Sequence, residues 1–369
     1  MRITTMTLLY TRYLVLLVLV LPLKAEQTDL RQQYGQHPAN WPQPSLQPGI
    51  ALAELQPLPE RPALTVENQA KIALGQQLFN DPILSRDNST SCASCHHADK
   101  VFSDGLRTAT GVGQQQGKRN TPAIFALELW QSFFWDGRTA TALEQALQPI
   151  ENPIEMDLPL ATALERLNAD TQYRQRFAAV FGQSPVTREQ LAQALVAFQL
   201  QLTVPQTSFD RFLQASYQLD KQQSIQSATQ ELNDQQLLGL HLFRTKAGCL
   251  NCHNGPLLSD NQFHVTGLHY MGRAFEDLGR YEATSNPADA GKFRTPSLRA
   301  VTHTGPWMHN GLFTQFDGII ALYNAGGARP KPRSDLKHPE LFPQTSTLLT
   351  PLKLSKSEQQ ALIAFLEIL

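Results

Sequence analysis

The stretch Cys92-Ala93-Ser94-Cys95-His96 decides the reading of this chain. It returns as Cys249-Leu250-Asn251-Cys252-His253, and the two copies use all 4 cysteines. In each copy two thiols lie on one turn, spaced to form thioethers with the two vinyl groups of one haem. The adjacent histidine reaches the iron from the same side. Two disulfides would need no histidine, and a zinc site built from all the cysteines would not explain why both motifs end in His. The spacing therefore predicts two covalently bound haem c groups, with His96 and His253 as proximal iron ligands.

Composition and the N-terminus fit an exported, soluble product. A net charge of −1 over 369 residues gives no footprint for nucleic acid or for an acidic substrate. Arg2 and Arg12, the apolar run from Leu14 to Leu23 and the small residue Ala25 predict a signal peptide over 1–25, cleaved before Glu26. The run is short for a membrane span. Cleavage leaves no membrane attachment; an uncleaved anchor is the alternative. Because c-type haem is attached outside the cytoplasm in bacteria, the expected location is the periplasm.

Residues 26–66, rich in Pro and Gln, read as an extended N-terminal arm packed over the core. Beyond them strand patterns are scarce. Helical periodicity covers Ala70–Phe79, Leu158–Leu167, Thr171–Phe181, Arg188–Leu202, Asp234–Phe243 and Ser355–Leu369. Thr187 and Ser355 stand as N-caps, and Glu358 completes a capping-box spacing with Ser355. The fold class is mainly α with long loops.

The two halves repeat each other. Gly75-Gln76-Gln77-Leu78-Phe79 precedes the first haem motif and Gly239-Leu240-His241-Leu242-Phe243 the second. Arg119-Asn120-Thr121-Pro122 leads to Trp135-Asp136-Gly137, and Arg294-Thr295-Pro296 leads to Trp307-Met308-His309-Asn310-Gly311. The repeat predicts two cytochrome c-like domains, 67–215 and 232–369, related by a pseudo-two-fold axis. A Gln- and Ser-rich linker is expected over 216–231.

With Phe134-Trp135-Asp136-Gly137-Arg138, Leu143-Glu144-Gln145-Ala146, Asn152-Pro153-Ile154-Glu155-Met156 and Phe293-Arg294-Thr295-Pro296-Ser297-Leu298-Arg299, the chain resembles the bacterial di-haem cytochrome c peroxidase family. Within it the likeness is to the MauG-like, MbnH-like branch, over about residues 66–369. The resemblance implies one peroxide-reactive haem and one electron-transfer haem. It places Glu155 as the acid–base group over the first haem, with Gln145 and Pro149 at the other pocket positions. Taken alone, Glu155 reads as an exposed loop carboxylate, with Glu144 and Glu151 as nearby competitors. The resemblance also puts Trp135 between the haems as a stepping stone for charge. It matches Asn120, Thr304 and Pro306 to positions that hold a calcium ion between the domains.

Classical members of that family carry a histidine in the loop after the first haem motif. Here the loop reads Thr110-Gly111-Val112-Gly113-Gln114-Gln115-Gln116-Gly117. His97 is adjacent to the proximal ligand and unable to reach the other face. The first haem is expected to be five-coordinate and ready without reductive activation. For the distal side of the second haem the candidates are Met271, Met308, His303, His309 and Tyr323. A thioether there raises the potential and a phenolate lowers it. The resemblance puts the axial position on Tyr323, where MauG-like proteins have Tyr.

The resemblance thus implies an enzyme that reacts with hydrogen peroxide and stores two oxidising equivalents as paired Fe(IV) haems. It then oxidises a side chain, a tryptophan, of a partner protein. Ala247 stands where MauG has a tryptophan for hole transfer, so MauG's own partner is not implied; Trp307 and Trp130 are possible substitutes for that route. Two other readings stay open. One is a conventional peroxidase taking electrons from a small cytochrome c or cupredoxin, and the other is a non-enzymatic di-haem electron carrier.

Overall fold

The computed structural model describes residues 29–61, 64–182, 185–218 and 229–369. The expected signal peptide at 1–25 lies outside the described residues, as do positions 219–228 of the expected linker. The described chain is mainly helical. Its sheet is a pair of two-residue strands, Phe263–His264 antiparallel to Phe293–Arg294. No helix among the described residues is long and apolar enough to cross a membrane.

The periodic segments form helices close to the expected bounds: Val66–Asn80, Leu160–Ala169, Thr171–Phe181, Arg188–Gln199, Asp234–Arg244 and Lys356–Leu366. Ser355 and Glu358 make their capping box, and Thr187 makes one with Gln190. Two further helices of nine residues or more, Ser208–Tyr217 and Phe316–Asn324, are absent from the sequence reading. The first carries its buried Phe209, Phe212, Leu213 and Ser216 at helical spacing behind a Thr207–Asp210 capping box, but the pattern is short. The second is apolar nearly all round, which hides its period.

Compactness divides the chain into two units that interleave along the sequence. One unit holds the described parts of 1–57, 206–250 and 354–369. In it Asp234–Arg244 crosses Lys356–Leu366. Gly239 sits at the crossing, where a Cβ would overlap the Ala361 carbonyl. Phe365 receives Phe209 and Phe243 edge-on, ring centres 5.0 and 5.3 Å away. The N-terminal arm is tied to the same helix. Arg31 bonds Asp234 and the Thr229 carbonyl. The buried guanidinium of Arg244 pairs with Glu54 and donates to the Pro42 carbonyl at 2.7 Å. Tyr34, Trp41 and Leu55 are buried in this arrangement.

The other unit holds the described parts of 58–205 and 251–353. Val66–Asn80 crosses Arg188–Gln199, again at a glycine: a Cβ on Gly75 would overlap the Ala194 carbonyl. Leu74, Leu78, Leu147, Ile150, Leu191 and Leu195 fill the core beside this crossing. The long loops that follow each haem motif also belong here, and they build the site.

Candidate functional site

The second unit encloses a cavity of about 670 Å³ lined by Cys92, Cys95, His96, Gln145, Pro149 and Glu155 among others. The motif opens as a 3-10 turn, Cys92–Ser94, capped by Ser91 and Ser94. His96 Nδ1 lies 2.6 Å from the Phe102 carbonyl. A carbonyl only accepts, so this bond fixes the proton on Nδ1 and leaves Nε2 as the lone-pair nitrogen. Burial pushes the His96 pKa down, which keeps the ring neutral, as an iron ligand must be. Burial likewise pushes the Cys92 thiol up to about 12.

The second motif is built the same way. Cys249–Asn251 is a 3-10 turn, and His253 Nδ1 lies 3.0 Å from the Leu258 carbonyl. Burial lowers the His253 pKa too. Both acceptor residues adopt left-handed backbone, φ 58° at Phe102 and 53° at Leu258. That conformation is unusual for bulky side chains, so its recurrence marks a shared requirement: aiming a carbonyl at the imidazole.

Glu155 is half-buried, and Asn152 Nδ2 donates to its Oε1 at 2.7 Å. Burial raises its pKa; the Arg138 charge and the Asn152 hydrogen bond offset this only in part. Its competitors sit differently. Glu144 is exposed and does not line the cavity, while Glu151, also exposed, does line it and accepts from the Leu160 amide at 3.3 Å. The histidine-free loop packs directly behind Glu155. Val112 N donates to the Glu155 carbonyl at 2.8 Å, and Gln115 Nε2 to the Pro153 carbonyl at 2.9 Å. Gly111 has no room for a Cβ against the Ile154 carbonyl. Among the described residues lining the cavity, His96 is the sole histidine; His97 is half-buried and outside the lining.

Trp135 and Asn120 share the cavity wall. Trp135 Nε1 donates to the Asn120 carbonyl at 2.8 Å, and Asn120 N donates to the His309 carbonyl at 2.7 Å. Thr304 ends the short Val301–His303 helix, and Pro306 follows it. Tyr323 lies in the last turn of Phe316–Asn324 and is half-buried. Of the other distal candidates, Met271 is buried, Met308 half-buried and His303 exposed. His309 is buried and stacked on Phe293, ring centres 3.5 Å apart.

Three features have no counterpart in the sequence reading. Arg119 donates two bonds of 2.7 Å to Asp277, and it also pairs with Asp136 and with Glu282 at 3.1 Å. Arg294 lies over the Trp130 ring at 3.7 Å, and its buried Nη1 has no hydrogen-bond partner. Burial pushes its pKa down to about 9. Cys252, Asp260 and His264 form the one cluster of possible metal-ligand atoms among the described residues. His264 and Asp260 already pair with each other at 2.7 Å.

The His96 cavity suits a haem. It presents two cysteines and an imidazole lone pair in one turn, and the orphaned Arg294 Nη1 in its lining seeks an anion such as a porphyrin carboxylate.

Comparison with known proteins agrees. The family model for di-haem cytochrome c peroxidase matches residues 69–218. Cytochrome-c peroxidase IdrP1 of Pseudomonas sp. (strain SCT) is 33% identical over 347 residues, covering 86% of this chain and 85% of that protein. The methylamine utilization protein MauG of Methylorubrum extorquens is 35% identical over 316 residues, covering 85% and 81%. A solved MauG-like protein associated with microbial copper homeostasis superposes with a TM-score of 0.69 at 27% identity, over 88% of this chain and 95% of that one. With the haem-binding geometry already in place, these likenesses make the chain a member of the MauG/di-haem cytochrome c peroxidase family, a di-haem peroxidase-type oxidoreductase.

Proposed function

We propose that this protein is a periplasmic enzyme that reacts with hydrogen peroxide in the His96 cavity without prior reduction and passes the oxidising equivalents to a side chain, a tryptophan, of a partner protein. The observation that carries the reading is the cavity lining: His96 is its one histidine, and Gly111 presses the loop where a blocking ligand would sit against Ile154 and Glu155.

A haem c bound through Cys92 and Cys95 supplies an iron that binds peroxide and takes up oxidising equivalents. The chain's own groups do the rest. His96 would hold that iron through Nε2. The Glu155 carboxylate takes the proton from the near peroxide oxygen and returns it to the far one, so that water leaves. Its raised pKa suits a group that must both accept and donate. Gln145 and Pro149 would shape the rest of that pocket. His253 and Tyr323 would hold a second haem c carried by Cys249 and Cys252, and a phenolate there would favour oxidised iron. Trp135 relays charge between the two haems. The repeated helix pairs, motif turns and carbonyl-bonded histidines support two cytochrome c-like halves about a pseudo-two-fold axis. Asn120, Thr304 and Pro306 would supply oxygens to a calcium ion.

The second reading is a conventional peroxidase with a small cytochrome c or cupredoxin as donor. It is favoured by relatives such as IdrP1, which are named cytochrome-c peroxidases. One titration separates the two. The diferric protein is mixed with stoichiometric peroxide and no reductant, and followed by absorption and EPR. An immediate change at both haems supports the proposal. No change until one haem is reduced overturns it in favour of the conventional enzyme.

A further inference from the structure

Tyr34 is fully buried, yet its hydroxyl meets two polar groups. Arg244 Nη1 donates to it at 3.2 Å, and His241 Nδ1 lies 3.1 Å away. A guanidinium has no acceptor, so the phenolic hydrogen cannot point at Arg244. Left unbonded in the interior it would lose its solvation with nothing to replace it. The hydrogen therefore goes to His241 Nδ1, and the phenol already holds a proton acceptor in hydrogen-bond contact.

The surroundings are those of an oxidisable site. Trp41, itself buried, stands 5.3 Å from Tyr34 between ring centres. The charges facing the phenol are Arg244 and Glu54, which neutralise each other. Burial raises the Tyr34 pKa, so the ring cannot lose its proton in advance of an electron.

The same helix leads straight to the second haem motif. Ala247 N donates to the Leu242 carbonyl at 2.9 Å, and Cys249 Sγ lies 3.8 Å from the Ala247 carbonyl. Leu242 is the neighbour of His241. A short path of backbone and two close contacts thus joins the sulfur that would carry the haem to the Tyr34–His241 pair, all within one compact unit.

We infer that Tyr34 is a proton-coupled outlet for oxidising equivalents that find no partner. It gives one electron to the peroxide-oxidised haem pair, which is reduced by one equivalent. Its O–H bond breaks, and the proton forms an N–H bond at His241 Nδ1, leaving a neutral tyrosyl radical beside an imidazolium. The inference rests on the peroxide reading above.

The test uses the diferric holoprotein with stoichiometric hydrogen peroxide, no reductant and no partner, freeze-quenched over seconds to minutes for EPR. A tyrosyl signal is expected that narrows when the protein carries ring-deuterated tyrosine. It should fall at least tenfold in Tyr34→Phe, which keeps the ring packing, and form at least tenfold more slowly in His241→Leu. Tyr217→Phe, a phenol of the same unit, should leave it unchanged. A signal that survives Tyr34→Phe, or forms at the normal rate in His241→Leu, overturns the assignment. Haem absorbance is read on the same samples. A haem change with no tyrosyl signal overturns the Tyr34 outlet alone, whereas unchanged haem absorbance overturns the peroxide reading and the outlet with it.

Discussion

Trp135 and His309 occupy equivalent places in the two copies of one turn, and they meet edge to face with ring centres 6.4 Å apart. The turns match in detail: Phe133 bridges Thr139 as Trp307 bridges Phe313, and Phe134 and Met308 both take positive φ. Asn120 bonds the indole of one and the backbone of the other. Burial holds His309 neutral, its pKa pushed down to about 4. The repeat has thus put an oxidisable indole in one copy and an uncharged ring in the other. Trp135→Phe keeps the edge-to-face contact and loses the indole. In stopped-flow absorption, the first haem should still respond to peroxide and the second should lag behind it; simultaneous responses would remove Trp135 from the path.

Glu155→Gln should slow the reaction with peroxide by about 10²–10⁴-fold at neutral pH, the usual worth of general acid–base help, with both haems still attached. In the wild type the rate should fall on acidification through a pKa above the ordinary glutamate value of 4.5, because the protonated carboxyl cannot accept. That acid limb should vanish in the variant, and a pH–rate profile by stopped flow checks both.

Arg119→Met strands Asp277 and Asp136, whose side chains are 4% and 5% exposed. Breaking a buried pair from one side costs about 3 kcal/mol or more; Arg138 still reaches Asp136 at 3.1 Å, so the lower end is expected in chemical denaturation. Burial alone would raise the Asp277 pKa, but the Arg119 bonds more than reverse it and leave it below 3.8. The stabilisation from Asp277 is therefore present above that value and lost as pH falls beneath it. The variant should show a shallower acid loss of stability than the wild type.

Gly239→Ala should destabilise the fold by about 1–3 kcal/mol through overpacking, outweighing the helix-propensity gain of about 1 kcal/mol. Thermal unfolding of the holoprotein reads this out. A raised midpoint would mean the Asp234–Arg244 and Lys356–Leu366 helices can move apart freely.

Tyr323→Phe removes the proposed phenolate and should change the resting EPR and absorption of the second haem while leaving the first alone. An unchanged low-spin signal would exclude Tyr323 as a ligand.

Local features were the ones legible in the sequence. The two Cys-Xaa-Xaa-Cys-His turns, the Ser355–Glu358 capping box and the Gly75 and Gly239 repeats each lie in one short segment, and each took its expected form. The pairing of Arg119 with Asp277, the stacking of Phe293 on His309 and the orphaned Nη1 of Arg294 are contacts between distant segments or consequences of burial. No spacing along the chain announces them. Arg119 and Arg294 were conspicuous as motif residues, yet their chemistry depends on which acids and rings the fold brings to them. The Phe316–Asn324 helix escaped for a different reason, since Gly318 to Leu322 offers no polar face to set a period.

The carbonyls of Phe102 and Leu258 bear on how the protein is made. Each orients the histidine of its own motif from a few residues downstream, so thiols, imidazole and orienting acceptor all reside in one short loop. Such a loop can take its ligating shape on a nascent chain before any helix has found its mate. With the haems attached as proposed, attachment and acquisition of tertiary structure would be separable in time. A maturation system would need to grasp only that loop, twice, and could leave the rest of the polypeptide to close around what it had installed.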